Sequence, residues 1–174
     1  MAVLDIVLEG DPRLRQKAVK IRQVDDSIRK LADDMYETIP EAEGVAVAAP
    51  QVGVTRRLIV IRYTESEDDD KDEDEGEEIT FRLANPEIVR GHGNQVGLEG
   101  CLSIPGWVGE VPRFESITVK GMDMENRPVR VKASGYLARI FQHEIDHLDG
   151  ILFTDRVEDK ETLKFVGTED EPEL

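Results

Sequence analysis

The sequence predicts an α+β fold in which short antiparallel strands pack around a central late helix, with a second helix near the N-terminus. Two apolar patterns with three- and four-residue steps mark the helices. Short runs rich in β-branched residues lie between them, without the strand–helix–strand alternation of a parallel sheet.

In the first helix Ile28, Leu31, Ala32, Met35, Tyr36 and Ile39 share one face, Asp25 or Asp26 is placed to cap the start, and Pro40 should stop it. Strands are expected over 57–63 (RLIVIRY), 79–84, 117–122 and 129–132. The last two flank 123–128 and read as an antiparallel hairpin. The late helix runs from Ser134, an N-cap residue type, through Tyr136, Leu137, Ile140, Phe141, Ile145 and Leu148. Gly150 can take the left-handed position after its end.

A length of 174 residues suits one domain, expected over 1–167, and with 39% hydrophobic but only 5% aromatic residues its core must rely on Val, Ile, Leu and Ala. No apolar run approaches the roughly 20 residues that cross a bilayer. The N-terminal Met1-Ala-Val-Leu-Asp-Ile6 lacks the basic region of a signal peptide, so a cytoplasmic protein is expected. The net charge of −16 is concentrated: residues 65–78 hold eleven acids and one Lys, and the remainder is mildly acidic. No electrostatic footprint for nucleic acid or an anionic membrane follows. Residues 64–78 cannot bury enough apolar area to order themselves and read as a mobile, solvated insertion, and 168–174 as a disordered tail. A calcium loop starting at Asp70 would put Glu75 where Gly is required and Phe81 where the bidentate Glu belongs.

The strongest local signal is His143-Glu144-Ile145-Asp146-His147, an H-E-x-x-H pattern holding two of the three histidines. Helical residues four apart are separated by about 40° around the axis, so both imidazoles leave one face and can hold one ion at about 2.0–2.1 Å. Glu144, about 100° round from His143, suits acting on water better than ligation. Two ligands do not complete a site. No His follows His147, and Asp155, Glu158, Asp159 and Glu161 lie in a charged, surface-like stretch. Upstream, the sole cysteine, Cys101, sits in Leu98-Glu-Gly-Cys-Leu-Ser-Ile-Pro-Gly106; it cannot form an internal disulfide, and its thiolate would be a strong soft ligand for Zn²⁺ or Fe²⁺. His92, between glycines, reads as a loop residue away from the chemistry.

Three segments in order, Gly44-Val-Ala-Val-Ala-Ala-Pro-Gln51, Glu99-Gly-Cys-Leu-Ser103 and Gln142-His-Glu-Ile-Asp-His-Leu-Asp-Gly150, resemble the motifs of the peptide deformylases. Asp11-Pro-Arg-Leu-Arg15 extends the likeness to about residues 3 to 157. The resemblance implies a metal-dependent hydrolase that removes the formyl group from N-formylmethionyl peptides, new polypeptides met near the ribosome. One Fe²⁺ per chain, with Zn²⁺ or Ni²⁺ as substitutes, would be held by Cys101, His143 and His147. It also implies Glu144 as proton carrier and the Leu102 backbone N–H with the Gln51 amide as oxyanion donors. Gly44, Val45 and Ala46 would be the strand facing the peptide backbone, and Leu137, Ile140 and Phe141 the wall for its Met side chain. Ser103 and Arg113 would be supports.

One departure stands out. Ala46 occupies a position that is commonly Gly in that family, and Val47 one that is commonly Leu. A positive φ at Ala46 would strain the chain by about a kcal/mol or more, whereas an extended backbone would tolerate the methyl. Two rival readings remain open: an H-E-x-x-H metallopeptidase whose third ligand is a carboxylate, and a binding module whose metal serves structure alone.

Overall fold

The computed structural model describes residues 2–65 and 76–167. After a 3₁₀ turn at Pro12–Arg15 come α1 (Asp26–Glu41), β1 (Ala46–Ala48), a second 3₁₀ turn (Ala49–Val52), β2 (Leu58–Glu65) and β3 (Glu77–His92). Then follow β4 (Gln95–Cys101), β5 (Ile104–Arg113), β6 (Ser116–Met122), β7 (Pro128–Ser134), α2 (Gly135–Leu148), α3 (Phe153–Arg156) and β8 (Lys164–Phe165). One sheet has the order β1-β2-β3-β6-β7 and a smaller one β4-β5-β8, with every pair of named strands antiparallel. The expected α+β class and the hairpin of β6 and β7 are therefore present.

β2 shows why its apolar run is continuous. Leu58 and Val60 point to α1, packing with Ile28, Ala32, Met35 and Ile39, while Ile59 and Ile61 point the other way, to Ile140, Phe141, Ile145 and Leu148 of α2. A strand covered on both faces needs no polar alternation. From Ala138 to Leu148 every residue of α2 is buried. Its apolar side meets the larger sheet, and Arg139 and His143 reach Gly97, Val111 and Glu99 of β4 and β5. The helix thus lies between the two sheets.

Four expectations need correction. Asp25 caps α1 through Ile28 N, but Pro40 lies inside the last turn instead of ending the helix. Its ring removes the N–H that would have bonded the Tyr36 carbonyl. Arg62 Nη1 donates to that oxygen instead, at 3.2 Å, so the turn persists to Glu41. Secondly, β3 continues past Ala84 to His92, placing His92 on a strand paired with Ser116. Asn85 takes φ 52° and the register shifts there, a bulge that lets the ladder resume after Pro86. Thirdly, β4 and β5 are not among the expected strands, yet they pair over most of their length. Lastly, Thr64, Glu65, Glu77 and Glu78, expected in the mobile insertion, pair across β2 and β3. Residues 66–75 of that insertion and the tail, 168–174, lie outside the described residues.

Ser134 precedes α2 as expected, although its hydroxyl makes no capping bond. Gly150 has φ 75°, and a Cβ there would stand 2.6 Å from the Arg15 carbonyl oxygen, so both conformation and space call for glycine. Among the described residues no helix is long and apolar enough to cross a membrane.

Candidate metal centre

β4 ends at Cys101, Leu102 and Ser103 turn the chain, and β5 begins at Ile104, which pairs back to Cys101. The turn carries the thiol to the buried face of α2. There Cys101 Sγ lies 3.3 Å from His147 Nε2, which lies 3.2 Å from His143 Nε2. One donor atom from each of Cys101, His143 and His147 falls within 4.8 Å of the others, and all three residues are buried. Donors held by one ion at about 2.0–2.3 Å in a tetrahedral array stand roughly 3.3–3.7 Å apart, so this donor set fits zinc-like or iron-like coordination. Among the described residues no carboxylate joins this group. Asp155, one of the downstream acids considered as a third ligand, instead takes Arg15 in an ion pair.

The surroundings fix the rings. His143 Nδ1 lies 2.8 Å from Glu99 Oε1, which leaves Nε2 for the cluster. Glu99 is fully buried and also accepts from Arg113 Nε and Nη2, each at 2.9 Å, and from Arg139 Nη1 at 2.5 Å. Burial opposes its charge, but the hydrogen bonds from Arg113 and His143 overcome that and hold the carboxyl below its ordinary range. Arg113 Nη1 in turn donates to Asp146 Oδ2 at 2.6 Å. For His143 itself, burial works against protonation, yet hydrogen bonds with Cys101 and Glu99 raise its pKa to about 10. His147 goes the other way, pushed well below its ordinary value by burial and then by His143.

Glu144 contrasts with Glu99. Both of its carboxylate oxygens are buried without a hydrogen-bond partner among the described residues, and desolvation raises its pKa to about 7. A lone buried carboxylate is costly unless a cation or a water stands beside it. Opposite, Gln51 is fully buried: Oε1 accepts from Ala48 N at 2.9 Å, while Nε2 points to Cys101 Sγ at 3.5 Å and Ser103 Oγ at 3.2 Å. Gly44 packs on the turn so closely that a Cβ would lie 2.8 Å from Leu102 Cδ1. Ala46 begins β1 and is absent from the positive-φ residues, so its methyl sits on extended backbone. Among the described residues β1 pairs with β2 alone.

Ile140 and Phe141 are fully buried in the core between α2 and the larger sheet, Phe141 lying edge-on to Phe81 at 5.2 Å, and Leu137 packs at that cluster's margin. An open groove runs past Gly44 and Val45, flanked by Tyr63 and Tyr136. Sequence reasoning gave no task to Glu99, Arg139 or Asp146. Arg139 and Asp146, four before and three after His143, share its helix face, a signal that was available. Glu99 opens the second of the three motifs, but its task could not be read there, since its partners lie on strand and helix residues far along the chain.

A family model described as polypeptide deformylase matches residues 3–163. The chain belongs to the polypeptide deformylase family. A peptide deformylase of Thermomicrobium roseum is 58% identical, with 98% of this chain and 95% of that one covered. The crystal structure of peptide deformylase from Ehrlichia chaffeensis matches with a TM-score of 0.83 at 39% identity, covering 92% of this chain and 91% of that one. A class I type b peptide deformylase from Acinetobacter baumannii, crystallised with Met-Ala-Ser bound, matches with a TM-score of 0.80 at 34% identity, over 90% of this chain and 99% of that one. As a polypeptide deformylase the protein is a metal-dependent hydrolase that removes the N-formyl group from N-terminal formylmethionine. The metallopeptidase and binding-module readings are set aside.

Proposed function

We propose that Cys101, His143 and His147 hold one Fe²⁺, replaceable by Zn²⁺ or Ni²⁺, and that Glu144 carries the protons of deformylation. The observation that supports this most directly is the junction of the sole cysteine with the two imidazoles beside an unpartnered carboxylate. The ion, once held, supplies Lewis acidity to water and to the formyl carbonyl. Glu144 takes a proton from the attacking water and passes it to the departing amine nitrogen, a task suited to a buried carboxylate whose oxygens have no hydrogen-bond partner among the described residues. Gln51 Nε2 and the Leu102 backbone N–H donate to the carbonyl oxygen as it gains charge; losing one such donor typically costs about 10²–10³ in rate.

The peptide lies along Gly44 and Val45 and on to the edge of β1 at Ala46, because a strand edge not paired among the described residues offers main-chain donors and acceptors to an extended ligand. Leu137, Ile140 and Phe141 contribute the apolar backing for the Met side chain. The Met-Ala-Ser found in the Acinetobacter baumannii structure is consistent with such a peptide. We assign residues 1–167 to one catalytic domain in the cytoplasm, acting on nascent chains near the ribosome.

Two measurements test this. Cys101→Ala should abolish stoichiometric metal binding; retention would overturn the ligand set. Wild type loaded anaerobically with iron should hydrolyse formyl-Met-Ala-Ser and lose activity in aerated buffer, since ferrous iron and thiolate both oxidise. Full activity after hours in air would argue against iron.

A further inference from the structure

A cavity of about 710 Å³ opens at the C-terminal end of α2, and its lining includes none of the metal-centre or substrate-edge residues. Five cationic side chains line it, Lys17, Lys20, Arg57, Lys120 and Arg130, against two carboxylates, Glu87 and Asp149. Each carboxylate already has a cation: Arg57 Nη1 lies 3.0 Å from Asp149 and Lys120 Nζ 3.7 Å from Glu87. Among the described residues Lys17, Lys20 and Arg130 make no ion pair. Lys17 and Lys20 from one segment and Arg130 from β7 thus bring three cations without an ion pair to one concavity.

The backbone behind these lysines is pinned. Ala18 N donates to the Leu148 carbonyl at 2.8 Å, and Val19 bridges Arg56. Asn85 clamps Ile21 through both its N–H, at 2.8 Å, and its carbonyl, at 2.7 Å, and Asn126 does the same to Val24 at 2.7 and 2.9 Å. Lys17 and Lys20 therefore project from a strap whose position is fixed before any ligand arrives, which lowers the ordering cost of binding. Pro86, Met122 and Val129 add apolar wall. A concave, partly apolar site of this size with a few placed charges suits a small organic ligand.

We propose that this cavity binds a small phosphorylated molecule of nucleotide size, its phosphates on Lys17, Lys20 and Arg130 and its body against Pro86, Met122 and Val129. Lysines act on phosphate as point charges, and Arg130 can add a bidentate contact. A long nucleic acid is disfavoured, because outside residues 65–78 the chain is still mildly acidic and offers no basic track leading away from the cavity. A small anion inside the concavity is shielded from most of that field, which decays over about 8 Å in physiological salt.

Isothermal titration of the full, metal-loaded chain tests this with ADP, inorganic pyrophosphate and a short mixed-sequence oligoribonucleotide. ADP should bind more tightly than pyrophosphate and more weakly as salt is raised. The double variant Lys20→Glu, Arg130→Glu should weaken ADP at least about tenfold with metal content and deformylation unchanged. If that variant fails to fold, Lys17→Gln with Lys20→Gln serves with the same readout. Absence of ADP binding overturns the proposal. So does binding that survives the substitutions, which would mark chelation at the metal centre. Pyrophosphate equal to ADP would remove the apolar half of the site, and tighter capture of the oligoribonucleotide through the same residues would replace a small ligand by RNA.

Discussion

His143 Nδ1 stands 2.8 Å from Glu99 Oε1, and that carboxylate is itself gripped by Arg113 and Arg139. The ring that would bind metal is therefore aimed by a buried ionic hub of Glu99 on β4, Arg113 on β5 and Arg139 on α2, and not by the helix periodicity alone. Replacing Glu99 by Gln keeps its shape but removes the charge that two buried guanidinium groups and the imidazole share. Loss of such a partner typically weakens metal binding about 10–100-fold. Competition with a chromophoric chelator measures it; unchanged affinity would show that Glu99 does not orient His143.

Glu144→Gln should leave metal stoichiometry intact and lower kcat by about 10²–10⁴. Equal activity in this variant would remove Glu144 from proton transfer.

The same substitution has a second consequence in metal-free protein. Burial raises the Glu144 carboxyl from 4.5 to about 7 in the folded state. Between those values the folded protein keeps a proton that the unfolded chain has released, so stability falls as pH rises through the window and levels off above it. Wild type should therefore lose stability relative to Glu144→Gln by a few kcal/mol, on the order of 1.4 per pKa unit, between pH 4.5 and 7. Paired denaturant titrations check this, and a constant difference across that range would contradict it.

Gly44→Ala would place a methyl 2.8 Å from the tip of Leu102. That tip is the end of a flexible side chain, so the fold should tolerate the change, with stability altered by about 1 kcal/mol or less. The Leu102 side chain that gives way is carried by the residue whose N–H serves as an oxyanion donor, and a displacement near 1 Å passed on to that N–H would cost up to about 10² in rate. The expected result is a fall in kcat/KM with little change in Tm; the opposite pattern would make Gly44 a folding residue only.

Asn85→Ala should destabilise the protein by about 2–3 kcal/mol, because it removes two hydrogen bonds to Ile21 and leaves alanine at φ 52°. The urea midpoint reports the loss, and a shift within error would mean the bulge is held by other contacts.

Much of the fold was readable locally. The period of α1 and of α2, the apolar run of β2 and the hairpin of β6 and β7 are all carried by neighbouring residues. The glycine- and proline-rich strands β4 and β5 were not, because their pairing is decided by partners along the sheet. Pro40 misled for a similar reason: Arg62, a distant residue, satisfies the carbonyl that the proline abandons. Within the site, the histidine pair was visible from its four-residue spacing.

The amino-acid order by itself determined that His143 and His147 share a helix face with Glu144 between them, because helical periodicity is local and needs nothing else. Only the tertiary structure decided that Cys101 meets that face, that Glu99 aims one ring while Glu144 stays unpartnered among the described residues, and that three cations from two distant segments face one cavity. Those relations join residues distant in sequence, and packing alone sets the distances between them.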